Sequence, residues 1–82
     1  MSYDKVEQAK KTIIGTKQTV KAIRAGIVSE VIVAEDAEER ITAPVVEEAG
    51  RHSIQVTYVH SSEKLGQICG IQVAASVVAI TG

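Results

Sequence analysis

Ile13-Ile14-Gly15-Thr16-Lys17-Gln18-Thr19-Val20-Lys21-Ala22 carries an apolar pair through a glycine into an amphipathic run. The pair fits a short strand and the run a helix, so Gly15 stands where one becomes the other. The start of a helix leaves backbone N–H groups without partners and carries partial positive charge, which suits anions. Lys17, Gln18 and Lys21 lie near that end and add two ammonium groups and an amide. Such donors can hold a phosphate or read the O6 and N7 of a guanine. Structured RNA is the partner this stretch predicts.

Working outward, Ser2 is placed to cap a first helix from about Tyr3 to Lys11, with Val6 and Ala9 facing inward. Thr12, Ile13 and Ile14 form the strand before Gly15. On the second helix Thr16, Val20, Ile23 and Ile27 recur at helical spacing and predict a narrow buried stripe. Lys17, Lys21 and Arg24 fall together to one side of it, Gln18 lies on the exposed arc beyond Lys21, and Gly26 is the expected stop. Val31 to Ala34 is a continuous apolar run, as in a strand covered on both faces. Asp36 with Glu39 three residues on resembles a helix cap, and Thr42-Ala43-Pro44 a restart, because proline is tolerated in a first turn. Val45, Val46 and Ala49 supply the inner face of that helix and Gly50 its end. Ile54, Val56 and Tyr58 alternate as in a strand. Ser61 or Ser62 caps a short helix bearing Leu65 and Ile68, a loop follows Cys69-Gly70, and a last strand covers about Ser76 to Ile80. The alternation of helix and strand predicts an α/β fold, a three-layer sandwich with helices on both faces of a mixed four-stranded sheet.

Eighty-two residues suffice for one domain over residues 1–82 with a single small core. A hydrophobic content of 45% and a net charge of -1 describe a globular chain. No apolar run nears the roughly 18 residues of a membrane span, and the start lacks a signal peptide's apolar core. Cys69 is alone, in keeping with a reducing cytoplasm. Charge is unevenly spread. Residues 1–26 hold six cations against two acids, +4, and residues 27–82 hold three against eight, -5. A local basic surface can bind phosphate while the acidic remainder limits indiscriminate attraction to polyanions.

Rival chemistries lack their residues. A phosphate-binding loop needs an adjacent Gly-Lys pair followed by a hydroxyl, but Thr16 interrupts the pair and Gln18 follows the lysine. A dinucleotide fingerprint fails because Gly15 has no second glycine near it. His52, His60 and Cys69 show no catalytic or metal-ligand spacing, so neither a catalytic residue nor a metal or cofactor is expected. Tyr3 and Tyr58 are the only aromatics, which disfavours modules that stack unpaired bases on a sheet. Read alone, Ile71 and Val73 fit core positions at the start of the last strand, and Glu35-Asp36 a strand end and helix cap. The opposite reading gives both segments RNA contacts.

Taken in order, Gly15-Thr16-Lys17-Gln18-Thr19-Val20-Lys21-Ala22, Ala34-Glu35-Asp36-Ala37 and Lys64-Leu65-Gly66-Gln67-Ile68-Cys69-Gly70-Ile71-Gln72-Val73-Ala74-Ala75 resemble the landmarks of a known family. It is the ribosomal-protein superfamily named for archaeal L-seven-Ae and eukaryotic L-thirty-e, and the likeness is greatest to its small bacterial paralogues. That resemblance implies an α-β-α sandwich that binds kink-turns, RNA helices bent at a three-nucleotide bulge beside tandem sheared G·A pairs. It further implies that Gly15, Thr16, Lys17, Gln18 and Lys21 enter the widened groove at those pairs. By the same resemblance Ile71, Gln72, Val73 and Ala74 cover the bulge, and Glu35 lies close by. Ribosomal RNA, a riboswitch or another non-coding RNA is then the partner of a cytoplasmic monomer, with no DNA or membrane involved. A scaffold that keeps the fold without RNA affinity is the alternative. Where archaeal members carry Asn-Glu, this chain has Lys17-Gln18, which exchanges an acceptor carboxylate for a cation.

Overall fold

The computed structural model describes residues 3, 6, 7 and 11–81. Its strands are β1 (Lys11–Ile14), β2 (Val28–Ala34), β3 (Gln55–Val59) and β4 (Val77–Thr81), and its helices are α1 (Thr16–Arg24), α2 (Glu39–Arg51) and α3 (Ser62–Ile68). Tyr3, Val6 and Glu7 are helical as well. The sheet runs β1-β4-β2-β3, with β2 parallel to β3 and β4 antiparallel to both β1 and β2. The protein is thus an α/β structure with a mixed four-stranded sheet.

Alternation along the strands divides their side chains between two cores. Val31, Val33, Val77 and Ala79 join Ala22 and Ile23 of α1 and Val45 and Ala49 of α2 on one face. Ile32, Ala34, Val78 and Val59 join Leu65 of α3 and the N-terminal Tyr3 and Val6 on the other. Helices therefore cover both faces, which is why Val31–Ala34 of β2 and Val77–Ile80 of β4 read as unbroken apolar runs.

Several boundaries differ from expectation, each for a physical reason. Lys11 pairs with Thr81 at the start of β1 and is not the end of a helix. Ser2 and Ala9 lie outside the described residues. The buried stripe of α1 is Thr19, Ala22 and Ile23, with Val20 only partly covered. Ile27 is 52% exposed, because α1 stops at Arg24 and Gly26 (φ 75°) turns the chain before helical periodicity can carry it inward. Pro44 does not restart a helix but sits at the sixth position of α2. Its missing N–H forfeits one helical bond, a loss offset by the complete burial of Val45 and Ala49. α2 runs one residue past Gly50, and the turn closes at Ser53 (φ 56°), where the Ile54 N–H donates to the Ala49 carbonyl at 2.8 Å. Asp36 does not cap α2. That helix is preceded by Glu38 with no side-chain cap, while the Asp36 Oδ1 accepts from the Ser62 N–H at 2.9 Å.

Candidate nucleic-acid interface

Because β1, β2 and β3 run the same way and β4 runs against them, three strand ends and the start of β4 meet at one end of the sheet. Backbone hydrogen bonds stitch that end together. The Gly15 N–H donates to the Val77 carbonyl at 3.1 Å, Ala34 to Ser76 at 2.9 Å, Glu35 to Val59 at 2.7 Å and Ala75 to Ser62 at 3.0 Å. The glycine-led tip of α1, Glu35 and the loop over residues 70–76 are therefore neighbours, although they are far apart in sequence.

At the tip, Gly15 holds φ 106° and ψ 152°, a region that L side chains rarely adopt. No side chain caps α1 and its first turn holds no acid, so its leading N–H groups stay available to an external acceptor. Lys17, Gln18 and Lys21 are exposed and Thr16 is partly buried. Among the described residues neither lysine has a carboxylate partner. Lys17 and Lys21 border the groove between α1 and α2, whereas Gln18 and Lys21 border the one between β1 and α1. Lys21 is the ridge between the two. At its far end α1 is tied down by Arg24, which meets Glu48 of α2 at 3.5 Å, where Arg51 and His52 converge as well. Burial would raise the Glu48 carboxyl, but Arg24, His52 and Arg51 outweigh it and hold the group below the ordinary glutamate value.

The loop owes its position to α3. Ser61 Oγ accepts from the Lys64 N–H at 3.1 Å, Asp36 accepts from Ser62, and the Tyr3 hydroxyl accepts from the Ser61 N–H at 3.0 Å, so the start of α3 is pinned on three sides. Gly70 (φ 80°) then reverses the chain, which lies back across the helix at Gly66. A Cβ at Gly66 would run into the Val73 carbonyl oxygen, and the Val73 carbonyl carbon and Ala74 Cα would stand 3.2 and 3.3 Å away. Sequence reading assigned Gly66 no role. Its one signal is a glycine inside a helix, which costs about 1 kcal/mol against alanine and so calls for a packing reason. Ile71 is partly buried against the second core, as a core reading expects. Val73 is not a core residue. It is 70% exposed, with Gln72 and Ala74 also outside.

Glu35 faces His60 across the ends of β2 and β3, Oε1 to Nδ1 3.2 Å, a pairing the sequence did not disclose. Cys69 is partly buried, and burial pushes its thiol up, away from a reactive thiolate.

The profile of the Ribosomal protein L7Ae/L30e/S12e/Gadd45 family matches residues 2–82. The chain belongs to this family. A Geobacillus sp. (strain WCH70) protein named as an RNA-binding protein is 55% identical over 80 residues, with 98% of each chain covered. The RNA-binding protein YbxF of Geobacillus stearothermophilus is 52% identical over 80 residues, again covering 98% of both chains. The solved structure of the Giardia lamblia 15.5kD RNA binding protein superposes with a TM-score of 0.88. It covers 99% of this chain and 71% of its own, at 22% identity, and so bears on the fold alone. These findings identify an RNA-binding protein of the L7Ae family.

Proposed function

We propose that the RNA this protein binds is a kink-turn, which it holds in its bent form without covalent change. The observation that carries this reading is the Gly15–Val77 hydrogen bond, which sets a cationic helical tip beside an apolar loop at one end of the sheet. An A-form major groove is too narrow for side chains, whereas a bend at non-canonical pairs opens it. Lys17, Gln18 and Lys21 then donate to guanine O6 and N7 and to nearby phosphates. Ile71, Gln72, Val73 and Ala74 cover the bulged nucleotides, with Val73 as the apolar contact. Glu35, held toward His60, borders the same site, and Gly15 and Thr16 let the backbone approach. Preferential binding of the bent form shifts the RNA population toward it. The protein acts as a cytoplasmic monomer on ribosomal RNA, a riboswitch or another non-coding RNA, and no residue of the site performs a reaction.

A titration by gel shift at fixed salt tests this. Replacing the tandem G·A pairs by Watson–Crick pairs abolishes the preference over a straight duplex, and Lys21→Ala weakens kink-turn binding by about 1–3 kcal/mol if it contacts a base edge. Equal affinity for bent and straight RNA rejects the reading.

A further inference from the structure

Beside the tip, α1 and α2 enclose a groove of about 480 Å³. Its rim carries Lys17, Lys21 and Arg24 from α1 and Arg40 from α2, and Ile41 and Pro44 supply apolar lining on the α2 side. Four cations around one groove repel each other, and a polyanion relieves that repulsion. Both arginines have partners that leave them usable. Arg40 meets Glu38 at 2.6 Å, but the pair is open to solvent, with side chains 80% and 61% exposed, and such pairs contribute little. Arg24 shares Glu48 with Arg51 and His52, so the carboxylate stays compensated if Arg24 turns outward. A guanidinium also matches phosphate geometry in a way an ammonium does not. From Lys17 to Arg24 the helix rises roughly 10 Å, long enough for its cations to meet more than one phosphate along a strand.

We infer that this groove seats the sugar–phosphate strand of an RNA stem leaving the kink, so that the footprint extends from the tip of α1 onto α2. The inference rests on the kink-turn reading and adds to it a contact that senses charge and not sequence. Arg40 is the residue that distinguishes it, since it lies on α2 and outside the surface assigned to the motif. Ile41 and Pro44 offer van der Waals contact to the sugar rings.

The test uses two RNAs with the same kink-turn, one with stems trimmed to the adjoining pairs and one with both stems extended by about ten pairs, titrated at several salt concentrations. Wild-type protein binds the extended RNA more tightly. Arg40→Gln loses affinity for it on the order of tenfold while binding the trimmed RNA within about twofold of wild type, and its salt slope on the extended RNA falls by about one. Ile41→Glu, which sets a carboxylate in the groove and replaces no member of either ion pair, gives the same selective loss. Equal losses on the two RNAs, or none on the extended one, overturn the groove assignment. The kink-turn reading is judged separately, by whether wild-type protein prefers the trimmed kink-turn to a straight duplex of equal length.

Discussion

The tip of α1 and the loop across α3 share one end of the sheet, yet they are made in opposite ways. The tip is local: a strand, one glycine in a conformation closed to other residues, and a helix whose exposed cations follow within two turns. The loop is held from a distance, by a glycine on α3 that admits its backbone and by hydrogen bonds from Ala34 and to Ser62. A surface composed of both has two independent weak points, one conformational and one steric. Substitutions at the two glycines separate them.

The largest effect is expected at the loop. Gly66→Ala forces a methyl group against the Val73 carbonyl, so the loop or the helix must shift. Overpacking of this kind costs about 1–3 kcal/mol, and RNA affinity falls further than stability because Val73 leaves its place. Chemical denaturation beside a gel-shift titration measures both. At the tip, Gly15→Ala meets no neighbour, since space around the glycine is open, but its φ of 106° is strained for any side chain. The expected loss is about 1–2 kcal/mol, with RNA binding weakened as α1 is re-aimed. If Gly66→Ala left RNA binding untouched while Gly15→Ala abolished it, the loop would have no share in recognition.

A smaller effect of opposite sign lies inside α1. Among the described residues, the Thr19 hydroxyl is fully buried without a hydrogen-bond partner. Thr19→Val keeps the shape and removes the unsatisfied group, which stabilises the fold by about 1 kcal/mol, read as a higher denaturation midpoint with kink-turn affinity unchanged. The slightest effect concerns the far end of α1, anchored by Glu48. Because its folded carboxyl titrates below the ordinary 4.5, its contribution is complete above that value and fades as the pH drops through the depressed one. The stability gap between wild type and Glu48→Gln is therefore expected at neutral pH and should close in acid. A gap that persists below both values would remove the ion cluster as its origin.

What could be read without coordinates follows the same division. The helical tip, the two-sided apolar strands and a serine cap at Ser61 or Ser62 were legible because each is written in consecutive residues or a fixed period. Pro44 misled because a local rule was overridden by burial of Val45 and Ala49. Asp36 misled because its acceptor serves a helix 26 residues away and not its own. The loop was ambiguous for a related reason: Ile71 and Val73 have the same character, and only the path across Gly66 sends one inward and the other out.

In the sheet order, β1 and β2 are not neighbours; β4 lies between them and is synthesised after both. A nascent chain stopped before Val77 thus has its sheet in two unjoined pieces, β1 and the β2–β3 pair, and Gly15 lacks the carbonyl that sets its angle. Competence to grip RNA is therefore expected only once β4 has been made and has paired with both neighbours.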